Sequence, residues 1–126
     1  MEATVIDHGP SLRRSAQSVL DSHLRCVMSG DLEGDLTENY APPVIVLTSE
    51  GIMCGHEGVR RLACTLRTYD RDGAYKYGQI WVAGEIGMLP WTVNGPDALA
   101  YDGADTFLVR HGHIWTQTSY YSIRFI

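Results

Sequence analysis

The sequence predicts an α+β fold with helices first and an antiparallel sheet after them; a curved sheet wrapped around the long first helix would leave a cone-shaped interior. Three observations lead there. Apolar residues recur at helical spacing mainly in the first half of the chain. The second half reads as strands separated by short turn sequences. A length of 126 residues with 44% hydrophobic residues suits a single core, with helices segregated from the sheet.

Residues 1–9 read as a flexible tail and residues 10–126 as one domain. Pro10 suits the first turn of a helix, where its missing N–H breaks no bond. Leu12, Ala16, Val19, Leu20, His23, Leu24, Val27 and Met28 then form one stripe, a helix of about 18 residues. Gly30 ends it and Asp31 caps the next. A short second helix runs from Leu32 to about Tyr40, weakened by Gly34 and stopped by Pro42-Pro43. Val44–Thr48 is β-branched and reads as a strand, Ser49-Glu50-Gly51 as a turn, and Ile52–Gly55 as extended chain. From His56, the residues Val59, Leu62, Ala63 and Leu66 make a third helical stripe, with Arg60, Arg61 and Arg67 facing out. After the polar loop Asp70–Gly73 come four strands: Tyr75–Ala83, Ile86–Val93, Ala98–Arg110 and His113–Ile123. Gly84-Glu85, Asn94-Gly95-Pro96-Asp97 and His111-Gly112 are the turns between them. Pro90 inside a strand marks an edge or a bulge.

Composition narrows the function. A net charge of −5 and a pI near 5.4 argue against a nucleic-acid partner and against docking on anionic lipid. No apolar run approaches the ~20 residues that span a bilayer, and MEATVIDHGP lacks the basic-then-apolar pattern of a secretory signal. The expectation is a soluble, cytoplasmic protein. Cys26, Cys54 and Cys64 are odd in number and lack C-x-x-C spacing, so they read as small buried hydrophobes rather than a disulfide framework or zinc ribbon. His111-Gly112-His113 spans a turn with no evident third ligand, so no metal site is expected. No Gly-rich phosphate loop is present, and no cofactor is expected.

Several short motifs occur in a telling order. Gly30-Asp31-Leu32-Glu33-Gly34 follows the first helix, Tyr40-Ala41 leads into a strand, and a Gly-x-Glu-Gly-Val-Arg helix start runs from Gly55 to Arg60. Asp102-Gly103-Ala104-Asp105-Thr106-Phe107-Leu108-Val109-Arg110 and Gly112-His113-Ile114 come near the end. Over about residues 12–123 this order resembles the nuclear transport factor two-like superfamily, in particular SnoaL-like polyketide cyclases and ketosteroid isomerases. The resemblance implies the cone fold, an internal pocket and often a dimer through the outer face of the sheet. The fold hosts enzymes and binding modules alike, so it does not by itself imply an activity.

Position by position, the resemblance places Asp105 where the isomerases hold a protonated aspartic acid and the cyclases a general acid/base. His23 stands where the isomerases have a tyrosine. Thr48 stands at their general-base aspartate and has no basic side chain at neutral pH. Ser119 stands where epoxide hydrolases of the fold have a second aspartate.

The residues themselves point the same way. Asp105 shares a mainly apolar strand face with Tyr101, Gly103, Phe107 and Val109. A carboxyl buried there is costly unless protonated or paired, which makes it an acid or a base at neutral pH. The alternative is an ion pair or a backbone cap. His23 lies on the apolar stripe of the first helix and either hydrogen-bonds Asp105 or a ligand, or is a satisfied core histidine. On the last strand Trp115, Gln117, Ser119 and Tyr121 share one face, which the resemblance places inward, lining the cavity; the alternative is packing in a dimer sheet. Tyr40, Trp91, Trp81 and Met88 supply further apolar walls. The expected function is a pocket for a small, largely apolar molecule. It serves a cofactor-independent isomerase, cyclase or lyase-type enzyme with Asp105 and His23 as catalytic groups. Tyr40, Trp91, Tyr101, Phe107, Trp115, Gln117, Ser119 and Tyr121 would form the substrate site. A non-catalytic ligand-binding or dimeric interaction module is the alternative.

Overall fold

A computed structural model describes residues 14–69, 75–94 and 98–125, with residues 98–102 and 125 described by backbone only. The expected tail and Pro10 fall outside these residues. Three helices and seven strands are described: α1 (Ala16–Ser29), α2 (Leu32–Asn39), β1 (Tyr40–Thr48), β2 (Gly51–Cys54), α3 (Gly55–Tyr69), β3 (Tyr75–Tyr77), β4 (Trp81–Ala83), β5 (Ile86–Asn94), β6 (Ala98–Arg110) and β7 (His113–Phe125).

The first helix starts at Ser15, whose hydroxyl accepts from the Ser18 amide. It ends at Gly30 with φ 75°, where the amides of Gly30 and Asp31 satisfy the carbonyls of Val27 and Cys26. Its inner face carries Ala16, Val19, Leu20, Ser22 and His23. Val27 and Met28, expected on the apolar stripe, are exposed on the last turn. Asp31 caps α2 through the Gly34 amide at 3.0 Å. Gly34 serves that cap, since a Cβ there would stand 2.2 Å from the Asp31 carboxylate.

The sheet runs β2-β1-β7-β6-β5-β3, with β4 also on β5. It is mixed rather than wholly antiparallel, because β1 pairs parallel with β7. Strand β1 reaches the sheet through helices and not through a hairpin, so either direction is open to it. It starts at Tyr40, earlier than expected. Its register with β7 slips between Tyr40 and Ile45, and Pro42 and Pro43 sit exposed in that slip, off the ladder. The expected strand Tyr75–Ala83 is two short strands. Pro90 of β5 faces the break between them and accepts the Gly78 amide at 2.8 Å, so its missing N–H costs no ladder bond.

The core fills the concave side of the sheet with Val19, Leu20, Leu36, Val44, Val46, Leu89, Val93, Phe107 and Ile114. Helix α1 seats against β5 at Gly87, where a Cβ would meet Leu20 at 2.2 Å. Cysteines are not in this core: Cys54 and Cys64 are exposed, Cys26 is half-buried, and all three are free thiols. Trp81 and Met88 are exposed on the outer side and add nothing to an interior wall. No helix among the described residues is long and apolar enough to cross a membrane.

Candidate active site

A cavity of about 270 Å³ opens between the inner faces of the helices and the concave face of the sheet. Its buried end is lined by His23, Asp35, Tyr40, Leu89, Trp91, Asp105 and Gln117; Leu66, Arg67, Tyr75 and Tyr77 line its outer part.

Asp105 comes from the middle of β6 and is 8% exposed. Trp91 donates its indole N–H to Asp105 Oδ1 at 3.0 Å, and Ser119 donates its hydroxyl to the same oxygen at 2.5 Å. Both donors sit on strands flanking β6. The Trp91 indole lies over Gly103, where a Cβ would meet the ring at 2.7 Å. One carboxyl oxygen is thus fixed, and Oδ2 has no donor among the described residues. Burial pushes the Asp105 pKa up, against the hydrogen bonds from Ser119 and Trp91 and the charge of His23.

His23 does not bond Asp105. Its Nδ1 is 2.8 Å from Asp35 Oδ2, and both side chains are buried. Asn39 donates to Asp35 Oδ1 at 2.8 Å and to the Ser22 hydroxyl at 3.1 Å. Arg14 in turn donates to Asn39 Oδ1 at 2.9 Å and to the carbonyls of Glu38 and Gly112. This network holds the ring with Nε2 free of any described partner. A carboxylate on Nδ1 favours the proton there, leaving Nε2 to accept a proton or, when protonated, to donate one. The rings of Tyr40 and Phe107 pack edge-on against the imidazole, at centroid distances of 5.8 and 5.2 Å.

Tyr40 donates its hydroxyl to Gln117 Oε1 in a short hydrogen bond. Burial, with the charges of Asp35 and Asp105, holds the phenol well above its ordinary pKa, so it stays a donor. The Gln117 carbonyl is therefore occupied and its amide NH₂ is left to donate.

Five of the expected residues line this cavity: His23, Tyr40, Trp91, Asp105 and Gln117. Phe107, Ser119 and Tyr121 stand buried behind the lining. Phe107 packs on His23, Ser119 holds Asp105, and Tyr121 packs on Trp91 at 5.7 Å while donating to Glu50. The Tyr101 side chain lies outside the described residues. Trp115 is a correction. It is 37% exposed, and its indole donates to the Arg110 carbonyl at 2.8 Å. The β6–β7 register jumps from Leu108–Thr116 to Val109–Ile114, so Trp115 is the extra residue of a bulge. Ile114 takes the inward place instead. Thr48, at the resemblance's base position, bonds the Gly51 carbonyl and the Glu50 amide in a turn. His113 Nδ1 approaches the His111 carbonyl at 3.2 Å in the β6–β7 turn.

The sequence reading missed Asp35. A signal existed, because Leu32, Asp35, Leu36 and Asn39 lie on one helical face by their spacing. It also missed Arg67, Tyr75 and Tyr77, which the fold brings to the outer part of the cavity.

No protein-family model and no curated protein matches the chain. Solved structures do. An NTF2-like protein of unknown function from Burkholderia pseudomallei is 18% identical over 85% of this chain and 90% of its own, with a TM-score of 0.69. A candidate polyketide cyclase from Sinorhizobium meliloti is 15% identical over 80% and 92%, with a TM-score of 0.66. TerC, crystallised with polyporic acid, is 16% identical over 85% and 91%, with a TM-score of 0.67. The likeness is one of shape, and on it the chain has the NTF2-like fold, the α+β cone that the sequence order had pointed to.

Proposed function

We propose that this protein is a cofactor-free acid/base enzyme acting on a small, largely apolar carbonyl compound, of isomerase, cyclase or dehydratase type. One observation carries the reading: the buried end of the cavity holds both a carboxyl with one oxygen unengaged among the described residues, on Asp105, and an imidazole with one nitrogen unengaged among them, on His23. Two proton-transfer groups with different environments are what such chemistry requires. Asp105 Oδ2 takes the proton α to the carbonyl, and the electron pair of the broken C–H bond moves onto the carbonyl oxygen. Protonated His23 Nε2 and the Gln117 amide donate to that oxygen. Burial makes Asp105 a stronger base than a solvated aspartate and lets it return the proton to another carbon. A structural neighbour crystallised with polyporic acid supports a small molecule as the occupant.

The test is exchange of α-protons for deuterium, followed by NMR over a panel of small apolar ketones. The wild type is expected to exceed solvent exchange for some members, and Asp105→Asn to lose at least ~100-fold of that rate while still binding. Unchanged exchange in the mutant would refute the assignment.

A second reading, a homodimeric module, has its own observation. Two rows cross the outer face of the sheet: Cys54–Ile45–Thr116–Leu108–Ile86–Ala83 and Ile52–Leu47–Thr118–Thr106–Met88–Trp81. Neither holds a charge, and Ile45, Leu47, Ile86 and Met88 are exposed, as a covered face would be. Dimerisation by this face is compatible with catalysis inside the cone. The free thiols Cys26, Cys54 and Cys64 fit a reducing cytoplasm.

A further inference from the structure

The cavity differs in charge between its two ends. Its buried end holds two carboxyl groups, Asp35 and Asp105. His23, the one imidazole facing them, is already engaged by Asp35, so a ligand carboxylate finds no arginine or lysine at that end among the described residues. The outer part holds Arg67, in the last turn of α3. Arg67 is exposed and makes no hydrogen bond or ion pair among the described residues. Arg14, Arg60 and Arg110 are all engaged, with Glu38, with Glu33 and Glu57, and with Glu85.

An aromatic wall joins the two ends. Tyr77 and Tyr75 stack at 6.2 Å with planes 14° apart, Tyr75 packs on Trp91 at 5.4 Å, and Trp91 donates to Asp105. Flat rings stack well on such a surface. A guanidinium at its outer end matches a carboxylate through two parallel N–H bonds.

We infer that the ligand is a flat ring compound bearing a carboxylate, held with the carboxylate on Arg67 and the ring along Tyr77, Tyr75 and Trp91. The inference rests on the cavity being a ligand site, as proposed above. It adds the substrate class and the orientation, with the reacting end toward Asp105.

Two probes of nearly equal shape test it, 2-naphthoate and neutral 2-naphthamide, titrated by calorimetry into the full chain. The wild type is expected to prefer naphthoate, and the preference to shrink as salt rises. Arg67→Gln is expected to weaken naphthoate roughly two- to fivefold, the upper range of an exposed ion pair, and to leave naphthamide unchanged. Arg61→Gln, on the same helix but outside this cavity lining, is expected to change neither. Equal weakening of both probes by Arg67→Gln, or of neither, overturns the inference. So does an equal loss of naphthoate in Arg61→Gln, which would mark diffuse attraction. Naphthamide binding without preference for naphthoate overturns it and leaves the pocket standing. Failure of both probes on the wild type overturns the pocket as well.

Discussion

Replacing Asp105 by asparagine is expected to stabilise the protein at neutral pH while it removes the proposed proton transfer. Asparagine is nearly isosteric. Its carbonyl oxygen can take the place of Oδ1 and keep accepting from Trp91 and Ser119. Its amide nitrogen falls where Oδ2 meets no donor among the described residues, so no donor clash arises with them. The gain comes from charge. Burial raises the Asp105 pKa above its unfolded value, so between the two values the folded state binds the proton and the unfolded chain releases it. Stability therefore falls as pH climbs through that window and stays reduced above it. Each pH unit of raising costs about 1.4 kcal/mol, and losing a charged acceptor for Trp91 and Ser119 takes part of that back. The net gain for Asp105→Asn at pH 7 is on the order of 1 kcal/mol, a rise in Tm of about 3–6 °C for a domain of this size. Well below the unfolded value of 3.8 the advantage should vanish, because both states then hold the proton. Calorimetric melting of wild type and mutant from about pH 3 to pH 8 checks this. A mutant less stable at pH 7 than wild type, or one whose advantage does not change with pH, would refute the reasoning.

Three more expectations follow from the same structure. Asp35→Ala leaves the buried His23 Nδ1 and one N–H of the Asn39 amide without their acceptor and should cost about 3 kcal/mol; denaturant melts measure it, and a loss below ~1 kcal/mol would mean the network contributes little. Nitrogen NMR of wild-type His23 should show Nδ1 carrying a proton, held by Asp35, and Asp35→Ala should lose that bias. Trp91→Ala should cost 3 kcal/mol or more as a buried-aromatic deletion, whereas Trp115→Ala, on the outer side, should leave probe affinity in the cavity unchanged. Met88→Lys places a charge in the uncharged outer rows and should turn a dimer into a monomer by light scattering; a wild type that is monomeric at ~100 μM would remove the dimer proposal.

Much of the fold was legible because local signals and tertiary structure agree. Gly30 and Asp31 punctuate the helices as their chemistry requires, and β6 spans Ala98–Arg110 as its alternation and turns indicate. Asp105 stood out as a carboxyl on an apolar strand face, and it is buried. His23 was legible as a buried histidine, but its partner was not. Asp35 sits between Glu33 and Glu38 in a short acidic helix, which reads locally as a solvated face. It is buried because the tight turn at Gly30 folds α2 back onto α1 and brings two residues twelve apart within 2.8 Å.

What the sequence determined by itself is whatever a residue does to its own backbone and immediate neighbours: caps, turns, periodic faces and the ionisable residue that breaks an apolar pattern. What only the tertiary structure decided is which faces meet. A single extra residue in β7 reverses the alternation and sends Trp115 outward while Gln117, Ser119 and Tyr121 stay in. The parallel pairing of β1 with β7, the His23–Asp35 contact and the meeting of Arg67, Tyr75 and Tyr77 in one cavity lining are of the same kind. Each depends on contact between segments remote along the chain, and the free energy that selects such contacts belongs to the packed whole, not to any local stretch of residues.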